Sequence, residues 1–293
     1  MPSITVQAPA KLNLTLDVLG RRPDGYHEMK MVMQSVSLAD TLTLETGPGE
    51  GISLSSNLGF LPVDGRNLAA AAAQKLAEAA GADFGHLTIR LNKQVPVCAG
   101  MAGGSSDAAA VLRGLNELLN LGLSPEALAR IGGAVGSDVP YCVLGGTALA
   151  EGRGERVTPL PPLPQCWAVL AKPGFPISTP ELFHRLDSLR LRCHPDTAGM
   201  VSALAGGDLP GAARRLFNVF EEMLPARQRE RVEELKQALL HAGALGASMS
   251  GTGPTVFGLF GSRETAQRGY ALVKPLCRDA FLTQTLSKQN NFP

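Results

Sequence analysis

A glycine- and serine-rich loop that leads straight into an amphipathic segment is the feature that most constrains the fold of this chain. The loop spans residues 96–106, and Val111, Leu112 and Leu115 after it share one face of a predicted helix. Glycine lets a backbone approach an anion closely, and the N-terminus of a helix presents unpaired N–H groups. The pattern therefore has two interpretations, a simple turn before a helix or a cradle for a phosphate group.

The spacing of this loop separates it from the known phosphate-binding motifs. A Walker A loop needs a lysine directly after its last glycine, but Ser105 follows Gly104 here. The glycines also lack the Gly-x-Gly-x-x-Gly spacing of a dinucleotide-binding turn. Ser105, Ser106 and Asp107 are residue types that cap helices, so we expect the loop to lead directly into a helix. A loop of this kind that binds phosphate belongs to another class.

Strands and helices alternate along the chain, which is typical of the α/β or α+β class. Residues 4–8 and 12–18 alternate between apolar and other side chains, and Pro9 interrupts them as a bulge or an edge. Residues 67–80 are rich in alanine and leucine and predict a helix that stops at a glycine. Residues 141–150 predict two strands joined by a turn.

A proline-rich segment marks the expected boundary between two domains. Four of the six residues from Pro159 to Pro164 are proline, the best linker pattern in the chain. Strand and helix patterns continue on both sides of it. We therefore predict one domain at residues 1–160 and a second at residues 161–293.

The composition fits a soluble globular protein. Hydrophobic residues make up 44% of the chain, charged residues 18%, and the formal net charge is +1. Nucleic-acid-binding proteins usually carry a basic excess, so we expect no nucleic-acid partner. No apolar run approaches the roughly 18 residues that span a bilayer, and the N-terminus lacks a signal-peptide pattern. The five cysteines include no Cys-x-x-Cys pair, which argues against a disulfide framework or a zinc site. These features predict a cytoplasmic protein without a membrane partner.

Lys11 and Asp138 are the charged residues whose surroundings most suggest chemistry. Lys11 lies among apolar residues of a predicted strand, where a lysine needs a partner or a function unless it lies at an edge. Asp138 comes just before Pro140, a position typical of turn-forming aspartates, but a carboxylate there can also act as a general base. The residues alone leave both interpretations open.

Two further segments have a structural and a functional interpretation. Pro23-Asp-Gly25 is a standard turn, from which Tyr26 and His27 would project either as structural side chains or to stack on a ring. Residues 248–254 form a second glycine cluster between a predicted helix and a predicted strand. This cluster is either a loop shaped by glycine or a second wall of the site that the first loop forms.

Taken in order, these motifs resemble those of the GHMP kinases, the family that includes galactokinase, homoserine kinase and mevalonate kinase. The resemblance covers almost the whole chain, and its motifs are residues 8–14, 96–106, 136–140 and 250–254. The length and order of the match make chance agreement improbable.

A subgroup of that family is similar over longer stretches, residues 8–18, 22–27 and 150–155. The acceptor of that subgroup is a methylerythritol linked to cytidine diphosphate, in the non-mevalonate route to isoprenoid precursors. The resemblance implies a ribosomal-S5-like N-terminal domain and a ferredoxin-like C-terminal domain, with the site in the cleft between them. It also implies transfer of the γ-phosphate of ATP, with Mg²⁺, to the 2-hydroxyl of the methylerythritol moiety.

The resemblance assigns roles to particular residues of this chain. Lys11 and Asp138 become the catalytic pair, in which Asp138 takes the hydroxyl proton and Lys11 holds charge. The residues implied to cradle the ATP phosphates are Pro96, Val97, Cys98, Ala99, Gly100, Met101, Ala102, Gly103, Gly104, Ser105 and Ser106. The residues implied to bind the acceptor are Asn13, near the transferred group, and Tyr26, His27, Lys93 and Phe183, at the cytidine end. The metal ligands stay open, with Ser105 or Ser106 as candidates beside phosphates and water.

One residue of the loop departs from the family pattern. The family loop usually has glycine where this chain has Ala102. Alanine is strained where φ is positive. We therefore expect either a negative φ at Ala102 or a slightly altered loop.

Two other functions are compatible with the motifs. The first is a GHMP kinase with a different acceptor, such as homoserine or a mevalonate derivative, although Asp24-Gly-Tyr-His27 favours the cytidylyl compound. The second is a nucleotide-binding regulator that has lost catalysis. The presence of both Lys11 and Asp138 argues against that second alternative.

Overall fold

Two long antiparallel strands, β1 (Ser3–Arg21) and β2 (His27–Ser56), form the centre of the larger of two sheets. The computed structural model of the protein describes residues 1–189 and 191–287. The two predicted segments before and after Pro9 are one strand, because the pairing with β2 shifts register between Pro9 and Lys11 and then continues. The interruption at Pro9 is therefore a bulge.

The remaining strands complete two sheets. Those of the larger sheet are β3 (Gly85–Asn92), β4 (Thr147–Gly152), β5 (Arg156–Pro159) and β7 (Phe217–Asn218). Those of the smaller sheet are β6 (Trp167–Lys172), β8 (Gly246–Met249), β9 (Val256–Phe260) and β10 (Asp279–Gln284). The larger sheet has the order β5-β4-β2-β1-β7, with β3 also on β2, and the smaller has the order β10-β6-β9-β8.

Helices pack on both sheets. The helices of the first half are α1 (Leu68–Ala80), α2 (Gly103–Leu118), α3 (Pro125–Gly133) and α4 (Val139–Leu144). Those of the second half are α5 (Thr179–Ser188), α6 (Thr197–Ala205), α7 (Leu209–Ala213), α8 (Phe220–Met223), α9 (Ala226–His241) and α10 (Arg263–Val273). Helix α2 packs on β1 and β2, whereas α9 and α10 pack on the smaller sheet. The smaller sheet with α9 and α10 has the ferredoxin-like βαββαβ order, as expected.

Local signals predicted some helix ends correctly. The side chain of Asn67 accepts the N–H of Ala69 at the start of α1, and Gly81 ends that helix in the left-handed conformation. Ser124 caps α3 in the same way, with Pro125 as the first helical residue.

The prediction of two strands at residues 141–150 is wrong in its first half. Tyr141 lies in the short buried helix α4, and only the second half of the segment, in β4, is a strand. A short apolar run has the same pattern in a buried helix as in a buried strand, so the sequence did not distinguish them. The hydroxyl of Tyr141 donates to the carbonyl of Gly146, at the predicted turn.

Segments on both sides of the predicted linker contribute strands to the larger sheet. Leu163 and Cys166 are buried, and β6 begins directly after them. Strand β7 returns to the larger sheet, where it pairs in parallel with Thr15 and Leu16 of β1. The division into residues 1–160 and 161–293 stays a prediction. Among the described residues, the helices are too short or too polar to cross a membrane.

Candidate active site

The bulge in β1 fixes the glycine-rich loop to the centre of the larger sheet. Beside the register shift, the backbone N–H of Lys11 donates to the carbonyl of Met101 over 3.1 Å. The hydroxyl of Ser106 donates to the carbonyl of Pro9 over 2.7 Å. Backbone groups that a regular strand would pair with its neighbour are therefore used to hold the loop. Lys11 and the loop have a fixed relative position as a result.

The loop passes into α2 through a left-handed residue. Ala102 has φ 55° and ψ 31° and precedes the first helical residue, Gly103, without a side-chain cap. Of the two alternatives for Ala102, the negative φ is therefore wrong. The loop leads directly into α2 as expected, but Ser105, Ser106 and Asp107 lie inside the first turns of the helix and do not cap it. Left-handed backbone costs a non-glycine residue about 1–2 kcal/mol. The first N–H groups of α2 follow directly after this strained turn, and a helix leaves such groups without a partner of its own.

A cavity of about 310 Å³ lies over these N–H groups and is called the donor cavity here. The loop residues that line it are Pro96, Val97, Cys98, Ala99, Gly100, Ala102, Gly103, Gly104 and Ser105. Met101 and Ser106 of the predicted phosphate loop are instead buried, where they hold the loop in place. The remaining wall comes from residues near the start of α1, including Arg66 and Asn67, and from Leu91, Lys93 and Asp107.

A buried group of three charges lies beneath the loop. The ammonium of Lys93 contacts a carboxylate oxygen of Asp40 and lies 2.7 Å from a carboxylate oxygen of Asp107. All three side chains are almost completely buried. Burial, together with the neighbouring Asp40 carboxylate and against the pull of Lys93, raises the pKa of Asp107 to about 7. The Lys93 ammonium thus holds the base of the loop, and Lys93 does not line the cavity that contains Tyr26 and His27.

A larger cavity of about 690 Å³, here the acceptor cavity, adjoins the donor cavity. Both cavities are lined by Gly100, Ala102 and Ser105, so they meet at the loop. Most of its lining is apolar or aromatic, including Leu16, Met29, Met31, Phe183 and Phe220. Its acidic and basic lining residues, among those that the structure describes, are Lys11, His27, Asp138 and Arg153.

Lys11 and Asp138, which the family resemblance implied to be a pair, meet at one end of the acceptor cavity. The ammonium of Lys11 lies 3.9 Å from a carboxylate oxygen of Asp138. The lysine is buried, whereas the aspartate side chain is 31% exposed and faces the cavity. Asn13 lies on the same face of β1, and its side-chain oxygen accepts from the Lys11 ammonium over 2.6 Å. Asn13 itself is fully buried outside the cavity lining, so it orients Lys11 rather than facing a ligand.

Aromatic residues occupy the other end of the acceptor cavity. The rings of His27 and Phe183 stack with centroids 4.7 Å apart, and the exposed Tyr26 stands beside them. Asp187 lies one turn after Phe183 on α5, and its carboxylate is 2.7 Å from Nε2 of His27. This hydrogen bond lowers the pKa of Asp187. Tyr26, His27 and Phe183 are brought together as expected.

The second glycine cluster lies beside the first loop, and Gly251 and Thr252 line the acceptor cavity, as one of its two interpretations expects. The hydroxyl of Ser250 donates to the carbonyl of Gly100 over 2.9 Å and accepts the backbone N–H of Asn13. A Cβ atom on Gly251, which has φ 57°, would lie 2.8 Å from the carbonyl oxygen of Gly100. Glycine is therefore required where the two loops touch.

Family models match both halves of this architecture. The model described as GHMP kinases N terminal domain matches residues 67–146, which include the loop and Asp138. The model described as GHMP kinases C terminal matches residues 200–273, which include the second glycine cluster. The chain belongs to the GHMP kinase family. It is a mixed α/β, ATP-dependent phosphotransferase with the two domains of that family, as its motifs implied.

Relatives within the GHMP kinases agree over nearly the full length. A protein of Geobacillus sp. (strain WCH70), named 4-diphosphocytidyl-2-C-methyl-D-erythritol kinase, is 45% identical over 98% of this chain and 99% of its own. A crystal structure of 4-(cytidine 5'-diphospho)-2C-methyl-D-erythritol kinase superimposes with a TM-score of 0.80 at 34% identity, covering 96% of this chain and 99% of its own. The homoserine kinase from Cytophaga hutchinsonii, at 22% identity and a TM-score of 0.77 over 99% of this chain and 96% of its own, shares the fold.

Sequence reasoning assigned no role to two polar residues of this GHMP kinase site. Asp187 holds His27 from a helix far along the chain, and no local pattern connects the two. Arg153 lines the acceptor cavity from the turn between β4 and β5. The glycines on either side of Arg153 were the available signal, because both have positive φ and mark a tight turn.

Proposed function

We propose that this kinase transfers the γ-phosphate of ATP to the 2-hydroxyl of 4-diphosphocytidyl-2-C-methyl-D-erythritol, in the synthesis of isoprenoid precursors by the non-mevalonate route. The observation that carries the proposal is the form of the acceptor cavity, which joins an aromatic group at one end to Lys11 and Asp138 at the other. A nucleotide-linked alcohol needs aromatic surfaces for its base and catalytic groups at its hydroxyl. The names of the full-length relatives support the same acceptor.

Asp138 is the proposed general base and Lys11 its electrostatic partner. As the acceptor oxygen forms its bond to the γ-phosphorus, the bond from that phosphorus to the bridging oxygen of ATP breaks and ADP leaves. The hydroxyl proton passes to the carboxylate of Asp138. An aspartate is a weak base toward an alcohol, so the Lys11 ammonium, held by Asn13, contributes by favouring the developing negative charge on oxygen.

The donor cavity is the proposed site for ATP, with its phosphates over the first turn of α2. The loop and the positive end of the helix dipole stabilise the charge of the phosphates. Mg²⁺ takes phosphate oxygens, water and a few protein oxygens. The hydroxyl of Ser106 is used by Pro9, whereas Ser105 lines both cavities, so Ser105 is the residue that fits Mg²⁺. Mg²⁺ would neutralise charge on the transferred group.

Tyr26, His27 and Phe183 are the proposed binding site for the cytosine and its ribose. The stacked pair of His27 and Phe183 is held from behind by Asp187 and by the edge of Phe220. Rings fixed in this way present flat apolar surfaces at little cost in conformational entropy. We also propose the cytoplasm as the compartment, because ATP and a reducing environment for the cysteines are found there.

An acceptor panel tests the proposal. Purified protein with ATP and Mg²⁺ should form ADP with 4-diphosphocytidyl-2-C-methyl-D-erythritol and not with homoserine or phosphomevalonate. Equal or faster turnover with either of the other acceptors would assign the chain to a different branch of the family. A protein that binds ATP but turns over none of the three would support the regulator alternative.

A further inference from the structure

The proposed acceptor carries a diphosphate between its cytidine and its alcohol, so the inference that follows rests on the proposed function. A diphosphate carries negative charge, and its desolvation in a cavity needs a positive partner. Among the described residues of the acceptor cavity, the basic ones are Lys11, His27 and Arg153. The Lys11 ammonium is held by Asn13 beside Asp138, and the His27 ring is held by Asp187.

Arg153 is the basic residue whose N–H donors are not engaged by the described residues, and its charge acts on the nearby Asp24 carboxylate without a direct contact. Its guanidinium lies over the ring of Tyr26, 4.9 Å from the ring centroid. Within residues 1–189 and 191–287, the side chain of Arg153 has no hydrogen bond and no ion pair. A cation on an aromatic face keeps its N–H donors available, and a guanidinium offers five of them in a planar fork.

The turn that carries Arg153 places it between the two ends of the acceptor cavity. The backbone N–H of Arg153 donates to the carboxylate of Glu155 over 2.6 Å, which fixes the turn. The next residue, Gly154, has φ 113°, and a Cβ atom there would lie 3.6 Å from a carboxylate oxygen of Asp138. One side of the turn therefore abuts the transfer end, while the guanidinium lies on Tyr26 at the aromatic end. The acceptor carries its base, its diphosphate and its alcohol in that order. Along the cavity, Tyr26, Arg153 and Asp138 follow one another in the corresponding order.

We propose that Arg153 binds the diphosphate of the acceptor and makes the enzyme select a diphosphate-linked nucleoside over an unphosphorylated one. Charge-assisted, bidentate hydrogen bonds between arginine and phosphate are among the strongest in proteins. A lysine supplies the charge but not the fork. The Arg153→Lys variant should therefore retain part of the selectivity, and Arg153→Gln should lose it.

Equilibrium binding of cytidine and CDP tests this role without relying on turnover. Binding is measured by titration calorimetry, with ADP and Mg²⁺ in excess so that the donor cavity is filled. The original protein should bind CDP about 10- to 100-fold more tightly than cytidine. In Arg153→Gln the affinity for CDP should fall to that of cytidine, while cytidine binds as before. Arg156→Gln is the matched control, because Arg156 lies on the same hairpin but pairs with Glu28 outside the cavity.

Each outcome decides one of the two proposals. Unchanged selectivity for CDP in Arg153→Gln would overturn the role of Arg153 and leave the proposed function standing. Equal loss of cytidine and CDP binding would also overturn it, because it would show a general effect on the cavity. If the original protein binds neither compound, the proposed cytidylyl acceptor is wrong, and the role of Arg153 falls with it.

Discussion

Replacing Asp107 by asparagine should remove a pH dependence of folding stability that comes from the buried group beneath the phosphate loop. Asp40 and Asp107 share the single ammonium of Lys93, and Asp107 Oδ1 has no hydrogen-bond partner in the part of the chain that the structure describes. The pKa of Asp107 in the folded protein is about 7. An unfolded aspartate has a pKa near 3.9.

The direction in which folding stability changes with pH follows from proton binding at Asp107. Between these two pKa values the folded state binds more protons at Asp107 than the unfolded state, so stability falls as pH rises. The stabilisation is fully present below the unfolded pKa and is lost as pH rises through the folded one. From about pH 5.5 to about pH 8.5 the loss is about 2 kcal/mol at this site. The amide of the Asp107→Asn variant does not titrate. The free energy of unfolding of the variant, relative to that of the original protein, should therefore rise by about 2 kcal/mol from about pH 5.5 to about pH 8.5.

Urea unfolding of both proteins at several pH values measures this difference, and groups common to both cancel. Glu117→Gln is the matched control, because Glu117 is an exposed carboxylate on the same helix and should give a constant difference. A difference between Asp107→Asn and the original protein that is independent of pH would refute the reasoning. It would mean that Asp107 is ionised throughout and that Lys93 fully compensates two carboxylates.

Three other substitutions have defined outcomes. Ala102→Gly relieves the left-handed strain, so thermal unfolding should show a stabilisation of about 1 kcal/mol, and no gain would show that Ala102 is unstrained. Gly251→Ala forces a Cβ atom against the Gly100 carbonyl, so the KM for ATP should rise at least about tenfold, and an unchanged KM would disprove a tight contact between the loops. Asp187→Asn loosens the ring of His27, so steady-state kinetics should show a several-fold higher KM for the acceptor with the KM for ATP unchanged. A rise in both would indicate a general loss of structure.

Local patterns predicted the starts and ends of helices best, because a single residue type can determine each of them. The cap at Asn67, the stop at Gly81 and the proline at 125 are such signals, because each acts through its own backbone neighbours. The apolar run of α4 could not be resolved in this way, because burial on all sides erases periodicity.

The candidate site depended on the order of motifs rather than on local pattern. The approach of Lys11 to Asp138 is a tertiary contact, and the family resemblance pointed to it where spacing could not. The family resemblance assigned Lys93 to the cytidine end, whereas its ammonium lies between two buried carboxylates beneath the loop. Its partner Asp40 lies 53 positions away, on β2, so the buried ion group beneath the loop was not visible in the sequence. The conformation of Ala102 was likewise decided by the loop contacts and not by its own preference.

Single-turnover phosphoryl transfer by Asp138→Asn is the most direct test of the mechanism, because Asp138 is the group proposed to accept the hydroxyl proton. The rate with ATP and 4-diphosphocytidyl-2-C-methyl-D-erythritol should fall about 10²- to 10⁴-fold, while the Kd for ATP stays unchanged. Ser137→Ala, which alters the neighbouring residue of the same cavity lining, should retain a rate close to that of the original protein. Transfer by Asp138→Asn at nearly the original rate would show that Asp138 is not the general base.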